Sequence, residues 1–151
     1  MRRFSLLLLP VVALLSSACS GGAATPSASG EPSTASASGA PIRIEVKLLD
    51  TLRMEPATMI VPAGVPVTFV VTNGGSAEHE FYLGDEEAQA EHEKDMMSGG
   101  MPHDEPEGIA VKPGETKELT YTFAEAGQTI AGCHVAGHYG GGMKAGITVS
   151  G

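Results

Sequence analysis

Near the C-terminus, the stretch GCHVAGHYGGGMKAGITV sets Cys133, His134, His138 and Met143 among six glycines. Thiolate, imidazole and thioether are soft to borderline donors, the set that selects copper, whereas zinc seldom takes a methionine. A trigonal copper plane needs one sulfur and two nitrogens, with a weak thioether on its axis. Cys133, His138 and Met143 supply three of these four groups, so the second imidazole has to come from elsewhere in the chain. His79 is placed for that role, at the start of the short apolar run HEFYL and just after the turn Asn73-Gly74-Gly75. His134 follows Cys133 directly and, on a strand, points to the opposite face. It is read as a surface or supporting residue rather than a ligand.

The elements that must position these groups are strands. Ile42, Ile44, Val46 and Leu48 alternate with Arg43, Glu45 and Lys47, the period of a half-buried strand. Two apolar runs flank Pro62-Ala63-Gly64, the second placing Val65, Val67, Phe69 and Val71 on one face before the 73–75 turn. Further strands are expected at 79–83, 109–111, 116–123 (with Leu119, Tyr121 and Phe123 on one face), 128–133 and 145–149. Short strands with Pro-Gly and Asn-Gly punctuation argue for an all-β sandwich or barrel of residues 42–151. No Gly-rich phosphate loop joins a strand to a helix, which removes the nucleotide-binding α/β folds. Residues 84–107 break every periodicity. A helix over 86–97 is compatible with them, but the expectation is a mobile polar surface insertion.

Ahead of this domain, Met1-Arg2-Arg3-Phe4, the apolar run 6–15 and Ser16-Ser17-Ala18 read as a secretory leader of residues 1–18. The apolar run of about 10 residues is short of the roughly 20 that span a bilayer. Cys19 stands where a bacterial lipobox has its lipidated cysteine, although Ser16 occupies the place usually held by Leu. The expectation is an exported lipoprotein, anchored to the membrane through Cys19 and facing the periplasm or cell exterior. Ordinary cleavage after Ala18 is the alternative. Residues 19–41, rich in Ser, Gly, Ala, Thr and Pro, read as a flexible tether. Without the leader, 7 Lys+Arg face 18 Asp+Glu, a balance of −11 that disfavours nucleic acid. With Cys19 lipidated, Cys133 has no disulfide partner inside the domain.

The loop GCHVAGHYGGGMKAGITV, preceded by VPAGVPVTFVVTN and EHEF, resembles the two ligand halves of cupredoxins, the small blue copper proteins related to plastocyanin, azurin and auracyanin. Four residues separate Cys133 from His138 and four separate His138 from Met143, a spacing similar to the auracyanin type. The resemblance covers roughly residues 52–149. It implies a Greek-key β-sandwich or barrel with a polar insertion between the ligand halves. It also implies one type 1 copper ion held by His79, Cys133, His138 and Met143, with Asn73 hydrogen-bonding across the site to hold the two ligand loops together. The implied function is single-electron carriage between extracytoplasmic redox partners by Cu(II)/Cu(I) cycling. Ala136 departs from the proline that most members carry there, which leaves the ligand spacing intact.

An enzymatic rival is a multicopper oxidase, but Gly132 rather than His precedes Cys133 and the chain has no His-x-His pair for a trinuclear cluster. The chain is therefore not expected to be an enzyme. Within the insertion, His92, Met96, Met97, Met101 and His103 form a candidate second copper site, against the simpler reading of a solvated acidic loop. Copper tolerance, storage or delivery is the competing function. The acid balance leads to the expectation of a redox protein partner with a basic docking face.

Overall fold

Strand β1 (Ile42–Leu49) opens the portion that the computed structural model describes, residues 42–151. The leader, Cys19 and the tether lie outside the described residues. Along β1 the expected alternation holds. Val46 and Leu48 are buried, while Arg43, Glu45 and Lys47 are exposed.

The chain continues through β2 (Arg53–Glu55), β3 (Thr58–Pro62), β4 (Pro66–Asn73), β5 (His79–Gly84), α1 (Glu86–Met97), β6 (Gly108–Val111), β7 (Thr116–Thr122), β8 (Gly127–Gly132) and β9 (Lys144–Ser150). These strands form two sheets, β2-β1-β4-β7 and β3-β9-β8-β5-β6. β1 runs parallel to β4 and β3 parallel to β9, while the other pairs are antiparallel. The expected all-β two-sheet architecture is the one observed. β4 is interior to its sheet and buried on both faces: Val67, Phe69 and Val71 point into the core, and on the other face Val70 is covered and Thr68 bonds Thr120 at 2.9 Å. Val65, expected on the inner face, precedes the strand and is exposed.

The core between the sheets centres on Phe69, whose ring lies 5.2 Å from that of Phe81 and 6.4 Å, edge on, from that of Phe123. Phe69 belongs to one sheet and Phe81 to the other, so the contact fixes β4 against β5. His79 and Glu80 directly precede Phe81, and this packing sets the depth at which they enter the site.

The insertion corrects the expectation of a mobile polar loop. Residues 86–97 form a helix docked on β5 and β8. Asp85 caps it by accepting from the Ala88 N–H at 2.9 Å, Glu86 and Glu87 sit at its positive end, and Lys94 sits in its last turn. Its buried residues are Gln89 and His92, both polar. Docking through hydrogen bonds leaves no apolar stripe, which is why periodicity gave no signal.

Candidate metal centre

Two neighbouring pairs of strands assemble the site. β8 and β9 are antiparallel with Gly132 opposite Lys144, so Cys133 and Met143 meet at the mouth of a hairpin, where the Cys133 N–H donates to the Met143 carbonyl at 3.1 Å. β5 pairs with the other edge of β8, and the Glu80 N–H donates to Cys133 Sγ at 3.3 Å. The loop from 133 to 143 winds back on itself. His138 N–H bonds the Val135 carbonyl at 2.8 Å, and Met143 N–H bonds the His138 carbonyl at 3.0 Å. Gly137 and Gly142 take left-handed backbone angles, φ 84° and 93°, where a side chain would be strained, which accounts for part of the glycine content of this loop.

The result is a convergence of three donors. His79 Nδ1 lies 3.3 Å from His138 Nδ1 and 4.0 Å from Cys133 Sγ, and Cys133 Sγ lies 3.4 Å from His138 Nδ1. Ligand atoms about 2.0–2.3 Å from a shared ion lie roughly 3–4 Å apart, so the spacing fits a metal. Among the described residues this is the one group of three or more His, Cys, Asp or Glu side chains with that convergence. His79, Cys133 and Met143 are fully buried and His138 is half-buried. Burial pushes the Cys133 thiol up to about 11, opposed by the backbone N–H of Glu80. A sulfur with two imidazoles is a donor set that favours copper.

No protein-family model matches the chain. Among curated proteins, it is 36% identical over 107 residues to the copper-resistant cuproprotein CopI of Rubrivivax gelatinosus, covering 70% of this chain and 65% of that one. It is 35% identical over 136 residues to CopI of Pseudomonas aeruginosa, covering 70% of this chain and 75% of that one.

The chain belongs to the CopI family of cuproproteins.

Solved structures agree on the fold. Reduced auracyanin from Roseiflexus castenholzii matches this CopI-family chain with TM-score 0.66 and 26% identity, over 75% of this chain and all of that one. Auracyanin A from Chloroflexus aurantiacus, a "blue" copper protein, matches with TM-score 0.62 and 27% identity, over 74% of this chain and all of that one. The CopI-family chain is therefore a copper-binding cupredoxin. The alignment spans just under two thirds of the Rubrivivax relative.

The remaining residues singled out from sequence fall in varied places. Asn73 is fully buried, but its amide donates to the carbonyls of Ala77 and Val111, both at 2.8 Å, and its oxygen accepts from the Gly75 N–H. It shapes the turn before His79 and ties that turn to β6, rather than reaching across to the Cys133 loop. His92 is turned inward, with Nε2 3.0 Å from Glu80 Oε1 and its ring stacked on Tyr82 at 3.9 Å. Met97, Met101 and His103 are exposed and Met96 half-buried.

Two further sets of residues surround the donors. His134 is buried, the supporting one of the two places expected for it, with Nδ1 2.6 Å from Glu93 Oε2 and Nε2 2.7 Å from Gln89 Oε1. The buried Glu80 carboxylate accepts from the His134 N–H at 3.2 Å, so residues 79–80 and 133–134 are reciprocally bonded, with α1 closing the network from outside. Asp50 is the other. Its carboxylate lies 3.1 Å from His79 Nε2 and takes hydrogen bonds from Ser76 N–H and Oγ–H and from Ala77 N–H. The Ser76 hydroxyl, then the two backbone amides, hold its carboxyl far below the usual range. A polar residue in a turn carries no periodicity, so only its position relative to His79 could have revealed it.

A pH dependence follows for the metal-free chain. Burial lowers the pKa of His134, against the opposing pull of Glu93, and burial followed by the nearby His79 lowers that of His138. In the unfolded chain both titrate near 6.5. Below that pH the unfolded state binds more protons than the folded one, so stability falls as pH drops. The urea midpoint of metal-free protein is expected to be lower at pH 5.5 than at pH 7.5, and a midpoint that rises on acidification contradicts this.

Proposed function

We propose that this chain is an extracytoplasmic type 1 copper protein of copper tolerance, holding one ion through His79, Cys133, His138 and Met143. The convergence of three donors, the imidazoles of His79 and His138 and the sulfur of Cys133, carries the reading. When bound, copper supplies a Cu(II)/Cu(I) couple that takes up and returns one electron. The protein's part would be to hold two imidazoles, a thiolate and a thioether in an arrangement that serves both oxidation states. The β5–β8–β9 ladder and the Glu80 bonds resist rearrangement of the ligands, and burial excludes water from sulfur. The half-buried His138 is the route by which electrons reach the surface. No substrate is turned over. Export by the 1–18 leader, with Cys19 as lipid anchor, places the chain in the periplasm or at the cell exterior.

Tolerance is favoured because the CopI relatives are copper-resistant cuproproteins. Carriage of electrons between redox partners is the second reading, favoured by the likeness to auracyanins. The exposed acids of α1, Glu86, Glu87, Glu91 and Asp95, would then meet a basic docking face on the partner. Deleting the gene in its host and following growth in rising copper separates the two. For tolerance, growth fails at copper levels the parent withstands, and the wild-type gene restores it while Cys133→Ser does not. Unchanged copper sensitivity with slowed extracytoplasmic electron transfer gives the carrier reading instead.

A further inference from the structure

Asp50 follows directly on β1, yet its carboxylate reaches the outer nitrogen of His79, a residue 29 positions away and fully buried. The contact is built rather than incidental. Ser76 N–H and Oγ–H donate to Oδ2 at 2.7 Å each, and Ala77 N–H donates to Oδ1 at 3.2 Å, so three donors hold the carboxylate in place. Gly75 leaves the room: a Cβ there would run into the Asp50 carboxylate and lie 3.1 Å from His79 Nε2.

Chemistry then decides the state of the imidazole. An ionised carboxylate only accepts, so Nε2 of His79 carries the proton and donates to Asp50. In the neutral ring the lone pair is then on Nδ1, the atom that faces Cys133 and His138. A carboxylate accepting from the far N–H also makes Nδ1 a stronger donor, as carboxylate–histidine pairs do at metal sites. A stronger donor favours the more highly charged ion. Partial exposure of Asp50, 43% for its side chain, moderates the effect.

We propose that Asp50 is a positioning residue that fixes the tautomer of His79 and biases the centre toward Cu(II), lowering its reduction potential. The inference rests on the copper-centre reading given above. Its test compares copper-loaded wild type with Asp50→Ala, which removes the carboxylate, and Asp50→Asn, which keeps its shape and an acceptor oxygen without the charge. Dissociation constants for Cu(II) and Cu(I) come from competition with chelators of known affinity. The potential comes from redox titration of the visible band, and urea unfolding of the metal-free chain reports on the fold.

In Asp50→Ala, Cu(II) affinity is expected to fall about 10–100-fold, the range for outer partners of metal-bound histidines. Cu(I) affinity falls less, and each tenfold difference between the two raises the potential by about 59 mV. Asp50→Asn shifts in the same direction by a smaller amount. Equal losses for both oxidation states at unchanged potential would reduce Asp50 to a loop brace and overturn the inference, as would unchanged affinities. A wild type with no thiolate-to-copper band would defeat the copper-centre reading itself. A wild type with the band and variants without the shift would defeat only the role of Asp50.

Discussion

Replacing Cys133 by Ser is expected to abolish the intense visible band of the copper-loaded protein and to weaken Cu(I) binding by at least about 100-fold, beyond the 10–100-fold typical of outer partners. The band requires charge transfer from a thiolate to copper, and among the described residues Cys133 is the free cysteine, with Sγ within 4.0 Å of both imidazoles. A serine hydroxyl is a harder donor with a much higher pKa, so it neither transfers charge in the visible nor favours Cu(I). The imidazoles of His79 and His138 remain, and residual Cu(II) binding with weak absorption is the expected outcome. Absorption and chelator competition on the two proteins decide it. An intense band that survives in Cys133→Ser would remove Cys133 from the centre. Serine is slightly smaller than cysteine and its hydroxyl can still accept from the Glu80 N–H, so the fold itself should persist.

The largest effect on stability is expected at Phe69. This ring is fully buried and touches Phe81 from the opposite sheet and Phe123 at the end of β7. Truncation to Ala removes its apolar contacts and leaves a cavity between sheets that cannot close without moving a strand. The cost of such changes is about 3–5 kcal/mol. With m of roughly 1–3 kcal/mol/M, the urea midpoint drops by at least about 1 M. Ile60→Ala, at a side chain 75% exposed on β3, should stay within about 0.5 kcal/mol and serves as the control. Since His79 and Glu80 are carried by the strand that holds Phe81, Phe69→Ala should also weaken copper binding, and bound copper should restore part of the lost stability by mass action. An unchanged midpoint would mean that this aromatic contact does not hold the sheets together.

The sequence by itself determined the donor chemistry and the strand framework. Cys133, His138 and Met143 lie on one loop whose spacing is local, and a soft donor set is a property of residue type, not of conformation. The framework was legible for a similar reason. In a sandwich with one face wet, the alternation of Val46 and Leu48 with Glu45 and Lys47 is imposed residue by residue. His79 was also within reach, because the Asn73-Gly74-Gly75 turn and the apolar run after it mark where a strand begins.

Only the tertiary structure decided what surrounds those donors. Asp50 and His79 are far apart in the chain and carry no shared pattern, and it is the seating of the 73–77 turn on the end of β1 that joins them. Helix α1 is held by Gln89 and His92, not by an apolar stripe, so its residues look in sequence like a solvated acidic loop. His134 was legible only as a surface or supporting residue, because the residue after an inward cysteine points away from it. The docked helix turned that outer face into a second interior, where His92 pairs with Glu80 and His134 pairs with Gln89 and Glu93. Burial of polar groups by partners distant in sequence is a property of the assembled fold, since each hydrogen bond needs a donor and an acceptor that the chain brings together only when the sheets and the helix have packed.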